Sequence, residues 1–153
     1  MMKRVLFVCT ANICRSPMAE AIFNALAEDS DLPFRAESAG TAALEGRPMA
    51  PNAVAVLEEK GIYPDDHRAR QVSEAMIAES ELVLTMSPQH AATLYRLYRY
   101  PSRKKVYTLP QYAIGASVGE SIPDPYGHTM ATYRSSMRQL YEYVQHTVNH
   151  FGV

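Results

Sequence analysis

The chain reads as an α/β protein on a parallel sheet, and three features of the sequence say so. Short apolar runs such as Val5-Leu6-Phe7-Val8 alternate with segments whose apolar residues recur at helical spacing. Parallel strands need such crossovers, and helices supply them. Two of the runs, residues 5–8 and 81–86, are followed by Ser-Pro pairs (Ser16-Pro17, Ser87-Pro88) that suit a helix start. The 153 residues suit one core and show no repeat, low-complexity tract or linker, so residues 1–153 form one domain.

Each element follows from its own pattern. Residues 4–8 make the first strand. The first helix spans residues 17–28, with Met18, Ile22, Ala25 and Leu26 on one face. Pro17 stands at its first position, where a missing N–H is not needed. Residues 34–38 are a half-polar edge strand. Past a loop with Gly40, Gly46 and Pro48, a helix from residue 51 turns Val54 and Leu57 inward, and Gly61 stops it. Residues 73–80 form a short helix and residues 81–86 a buried third strand. The helix opened by Ser87-Pro88 carries Ala91, Leu94, Tyr95 and Tyr98 on one stripe. Residues 105–109 are the fourth strand. The last helix, residues 130–151, has the cleanest period: Met130, Tyr133, Met137, Leu140, Tyr141, Val144, Val148 and Phe151. Residues 110–127 read as one long irregular stretch, and loops of that length in compact domains are usually functional.

Bulk properties exclude several classes. A net charge of −1 offers no basic field for nucleic acid or an anionic membrane. The apolar run after Met1-Met2-Lys3-Arg4 is too short for a signal peptide or a membrane span, so the expected location is cytoplasmic. Two cysteines, Cys9 and Cys14, are too few for a structural zinc site or a stapled scaffold. No metal and no cofactor are expected.

What remains is the segment from Cys9 to Pro17. A strand delivers Cys9 to its C-terminal end, the chain turns sharply, and a helix begins. Amides of the turn and the helix start can converge on one anion. The same field favours a thiolate at the base of the turn. Arg15 adds a planar fork for two phosphoryl oxygens. Asn12 tolerates the left-handed backbone such a turn uses.

The stretch Val8-Cys9-Thr10-Ala11-Asn12-Ile13-Cys14-Arg15-Ser16-Pro17-Met18-Ala19-Glu20 resembles the signature of the low-molecular-weight protein tyrosine phosphatases. Further matches follow in the family's order: Ser38-Ala39-Gly40-Thr41, His67-Arg68-Ala69-Arg70-Gln71 and Ile122-Pro123-Asp124-Pro125-Tyr126-Gly127. One departure is Ala11, where the family usually has glycine; its side chain requires φ below zero there. The resemblance implies a three-layer αβα fold with a four-stranded parallel sheet in the order 2-1-3-4. The loops after strands one and four, carrying Cys9 and Asp124, would then emerge on one side.

The resemblance implies roles that the chemistry can use. Cys9 is the nucleophile, the amides from Thr10 through Ala11, Asn12, Ile13 and Cys14 hold phosphoryl oxygens with Arg15, and Asp124 is the general acid. The residues alone do not choose Asp124 over Asp65, Asp66 or Glu120. Ser16 either donates to the Cys9 sulfur or caps the helix. Asn12 either pairs with Ser38, as the resemblance suggests, or makes a local Asx turn. His67 matches a histidine that braces the loop in relatives. Cys14 is either a partner for a protective Cys9–Cys14 disulfide, as in the family, or a buried filler. Tyr126 and Leu44 are candidate walls of the substrate pocket.

Ile13 bears on the substrate. The bacterial protein-arginine phosphatases carry threonine at the matching position, whereas Ile13 offers an apolar surface suited to an aromatic ring. Phosphotyrosine in protein substrates is the leading expectation and phosphoarginine the rival, since the downstream segments also resemble that branch. Thioredoxin-linked arsenate reductases share the Cys–x5–Arg loop but need cysteines beyond it, and this chain has none after Cys14. A non-catalytic phosphopeptide-binding module would need neither Cys9 nor Asp124. Arg96, Arg99, Arg103, Lys104 and Lys105 read as a solvated helix end rather than a docking face. A monomer or weak dimer is expected.

Overall fold

The computed structural model describes residues 2–98, 105–117 and 119–152. Four strands, β1 (Lys3–Cys9), β2 (Phe34–Gly40), β3 (Leu82–Thr85) and β4 (Val106–Thr108), form one parallel sheet in the order β2-β1-β3-β4. Among the described residues six helices accompany them: α1 (Arg15–Asp29), α2 (Pro51–Glu59), α3 (Glu74–Glu79), α4 (Pro88–Leu97), α5 (Leu109–Ile114) and α6 (Met130–Phe151). The expected strand order is the observed one.

Strand alternation sorts the core into two layers. Val5, Phe7 and Leu84 face one way and pack with Met18, Ile22 and Phe23 of α1, Leu57 of α2, Leu109 of α5 and Leu140 of α6. Leu6, Val8 and Val83 face the other way, against Ile77 of α3 and Leu94 of α4. The sheet is thus covered on both faces, which explains why β1 from Val5 onward is wholly buried.

Several expectations need correction. The helix α1 starts at Arg15, so Pro17 is its third residue, still among the amides that have no intrahelical partner. Its inward face uses Ala19 and Phe23, while Ala25 is only half-buried. Strand β2 runs on to Gly40, drawn out by pairing of Cys9 with Gly40. Gly61 ends α2 at φ 74°, with Ile62 N–H on Leu57 O at 3.0 Å and Gly61 N–H on Glu58 O at 2.9 Å. Those two bonds are the Schellman pattern, which needs a left-handed residue. Tyr98 leaves helical geometry, yet its hydroxyl donates to Val72 O at 2.6 Å and its ring packs with Leu94.

The stretch 110–127 is not wholly irregular, because α5 lies at its start. Thr108 caps that helix by accepting from Gln111 N–H, and Gly115 closes it at φ 69°. Thr108-Leu109-Pro110-Gln111 has the capping-box spacing that signals a helix start. Within the basic cluster, Lys105 is not a solvated charge: its ammonium donates to Ile77 O at 2.7 Å and Ser80 O at 3.0 Å, closing the end of α3. Arg96 sits in the last turn of α4. Arg99, Arg103 and Lys104 lie outside the described residues. Among the described residues, no helix is long and apolar enough to cross a membrane.

Candidate active site

The loop from Thr10 to Cys14 joins the buried end of β1 to α1 and is held from outside through its carbonyls. Thr10 O accepts from Ala42 N–H at 2.9 Å, Ile13 O from Ala50 N–H at 2.9 Å, and Cys14 O from Met18 N–H at 3.0 Å. Asn12 O accepts from His67 Nε2 at 2.7 Å. In a planar trans peptide the following N–H points opposite to the carbonyl. The amides of Ala11, Ile13, Cys14 and Arg15 are therefore turned away from this outer frame, toward the inside of the loop.

Asn12 makes the turn possible. It is fully buried at φ 60°, and only Asp31 among the other described non-glycine residues shares a positive φ. Ala11 thus keeps the negative φ its side chain requires. The Asn12 amide donates to Ser16 Oγ at 2.8 Å and Ser38 Oγ at 3.0 Å, and its oxygen accepts from Arg70 N–H at 3.0 Å. Ser38 passes its own proton to Glu20 at 2.6 Å. Burial raises the Glu20 carboxyl above its ordinary value, against the Ser38 bond.

Cys9 is 3% exposed and Arg15 7%, at the floor of this arrangement. Ser16 Oγ lies 2.9 Å from Cys9 Sγ. The Asn12 amide can only donate, so Ser16 uses its oxygen there and keeps its proton for the sulfur. Ser16 is the second residue of α1, with Cys14 at the cap position, so the hydroxyl is not a helix cap. Arg15 Nη1 donates to Ile122 O at 3.1 Å, and Nη2 stands 3.7 Å from Asp124 Oδ2. Asp124 is exposed, and its other oxygen accepts from Tyr126 N–H at 3.1 Å. The loops after β1 and β4 do meet.

Cys14 packs in the main core with its Sγ 3.4 Å from the Tyr133 hydroxyl. Burial pushes its thiol up to about 11, and Tyr133 is pushed up with it, also by burial. Both cysteines are free thiols. Ile13 is as deeply placed as Cys9, 3% exposed and in the same cluster of buried side chains. Leu44 and Tyr126 are 68% and 51% exposed.

Three groups escaped the sequence reading. Arg47 reaches Tyr126: its Nη2 donates to the hydroxyl at 2.8 Å and its guanidinium carbon lies 5.5 Å from the ring centroid. Gly40 lies so close to the loop that a Cβ there would sit 2.3 Å from Thr10 O. His90, buried at the start of α4, bridges Ser87 Oγ and Thr10 Oγ1 at 2.9 Å each. Burial, then the Arg15 charge, holds it down at about 4, so it is neutral near pH 7. The contacts of Arg47 with Tyr126, Gly40 with Thr10 and His90 with Thr10 join residues 30 or more positions apart, and no local pattern flags them.

A cavity of about 400 Å³ opens over Thr10, Arg15, His90, Ile122 and Asp124. A larger hollow of about 640 Å³ is lined by Glu20, Ser38, His67 and Arg70; Asp124 lines only the first of these spaces and Cys9 neither. The family model for low molecular weight phosphotyrosine protein phosphatases matches residues 4–151. The chain belongs to that family. A low molecular weight protein-tyrosine-phosphatase of Streptomyces coelicolor is 42% identical over 130 residues, covering 80% of this chain and 77% of the relative. A protein-arginine-phosphatase of Bacillus subtilis is 38% identical over 139 residues, covering 90% and 89%. The crystal structure of the low molecular weight protein tyrosine phosphatase from T. tengcongensis superposes with a TM-score of 0.92 at 37% identity, covering 97% of this chain and 99% of that one. This low molecular weight phosphatase thus has solved relatives across nearly its whole length.

Proposed function

We propose that the chain hydrolyses phosphotyrosine in protein substrates through a cysteinyl-phosphate intermediate. The observation that carries this reading is a pair of contacts on one loop and its helix: Ser16 Oγ on Cys9 Sγ at 2.9 Å, and Arg15 beside Asp124 at 3.7 Å. The Cys9 thiolate attacks phosphorus, forming the S–P bond as the P–O bond to the tyrosyl group breaks. Inward amides and the Arg15 guanidinium hold the equatorial oxygens as charge develops. Asp124 gives its proton to the departing phenolic oxygen. Its carboxylate then takes a proton from water, which attacks phosphorus, releases inorganic phosphate and restores the thiolate. The proton Ser16 aims at the sulfur makes that thiolate a better leaving group.

Substrate choice rests on the rim. Tyr126 offers a face for an aromatic ring, and Cys9 is 3% exposed, a depth that a long aryl phosphate suits better than a short one. A second reading, hydrolysis of protein phosphoarginine, is favoured by the 38% identity to an enzyme of that name. Against it, that leaving group departs as a guanidinium cation, and the Arg47 guanidinium already stands over Tyr126.

The test compares phosphotyrosine and phosphoarginine peptides on the wild type with chelator present. The expected result is a higher kcat/KM on phosphotyrosine and no turnover by Cys9→Ser. Preference for phosphoarginine transfers the chain to the second reading. Undiminished turnover by Cys9→Ser refutes the mechanism itself.

A further inference from the structure

The segment that carries Asp124 is thinly tethered. Ile122 is fixed on both sides, its N–H donating to Met86 O at 2.8 Å and its carbonyl accepting from Arg15. Beyond it, Asp124 and Tyr126 are exposed on either side of the buried Pro125, and the bonds from Tyr126 N–H to Asp124 and from His128 N–H to Pro125 O stay within the segment. Among the described residues, 123–128 have two polar ties to the rest of the fold: the Arg15–Asp124 ion pair at 3.7 Å and the Arg47–Tyr126 bond at 2.8 Å. The first is partly exposed and long, so it fixes the carboxyl weakly.

Arg47 is anchored where Asp124 is not. Its N–H donates to Leu44 O at 3.2 Å and its carbonyl accepts from Ala69 N–H at 2.8 Å. The segment that supplies Ala69 also supplies His67 and Arg70, which fasten Asn12. One frame therefore supports the nucleophile loop directly and reaches the acid loop through Arg47.

We propose that Arg47 is a positioning residue for the general acid: by gripping the Tyr126 hydroxyl and ring, it holds the Asp124 carboxyl at the mouth of the Cys9 loop. This rests on the catalytic reading above and assigns Arg47 a part in it. Tyr126 is the link, since its own N–H is what Asp124 accepts. A bond and a cation–π contact on one side chain restrict both its tilt and its reach, and small displacements of a catalytic group are costly.

The test is leaving-group dependence. A good leaving group needs little protonation, a poor one needs all of it. In Arg47→Ala, kcat/KM should fall about tenfold more on phenyl phosphate than on p-nitrophenyl phosphate, a fraction of what a general acid supplies. Arg47→Lys should recover part of the loss, and Tyr126→Phe, which keeps the ring, should show part of it. In an Asp124→Ala background, Arg47→Ala should leave the ratio between the two substrates unchanged. The backbone bonds of residue 47 survive these substitutions, and urea unfolding checks that the fold does. Equal losses on both substrates, or the same extra loss without Asp124, would overturn the proposal. Wild type that fails to hydrolyse either ester in a Cys9-dependent way refutes the catalytic reading instead.

Discussion

Gly40 shows how much one hydrogen atom decides at this site. Its Cα faces the backbone of Thr10 and Ala11, and Thr10 O is already engaged by Ala42 N–H. A methyl group there must push the Thr10 carbonyl, and with it the Ala11 N–H that points the opposite way. Gly40→Ala is therefore expected to cost about 10²-fold in kcat/KM, the loss typical of one misplaced oxyanion donor. Orthovanadate inhibition should weaken alongside; unchanged inhibition would mean the loop does not depend on this contact. Asn12 was legible as the residue of the turn, because few side chains accept a left-handed backbone. The demand on Gly40 was not, since it depends on how closely β2 approaches a loop about 30 residues away.

Elements with a long, regular period were the easiest to read. The helix α6 runs from Met130 to Phe151 as its apolar stripe predicts, and Tyr133, Met137, Leu140, Val144 and Val148 are buried. It packs on α1, α2 and α5, so its start matters to the whole layer. Thr129 caps it by accepting from Thr132 N–H at 3.3 Å. Thr129→Ala should lower stability by about 1 kcal/mol in urea unfolding, and Thr129→Ser should restore most of that. No change would mean water satisfies the freed amides as well. Short elements were harder. Six residues of α5 carry no period, and only the Thr108 cap announces them. At α1 the start moved back to Arg15, because the loop from Thr10 ends by passing its last carbonyl, Cys14 O, into the helix.

At the scale of the molecule, burial of a titratable ring couples the site to pH. The unfolded chain protonates His90 near its ordinary value of 6.5, whereas the folded protein holds it neutral down to about 4. Between those values the unfolded state binds more protons, so folding stability falls as pH drops through the window and levels off below it. His90→Asn removes this dependence. Urea midpoints at about pH 7 and about pH 5 should therefore differ less in the variant than in the wild type. Equal differences would place the imidazole in contact with water. The same packing brings the loops after β1, β3 and β4 to one edge of the sheet, which joins Thr10 with His90 and Arg15 with Asp124.

From the sequence alone came the sheet's strands, the long helices, and the loop from Cys9 to Arg15. All are signalled within a few neighbouring residues, by periodicity, caps and one compact motif. Tertiary structure alone decided what surrounds that loop: Gly40 beneath it, Glu20 behind Ser38, His90 at Thr10, and Arg47 on Tyr126. These contacts join segments far apart in the chain. Their partners are set by how helices and strands stack, and no local pattern records that.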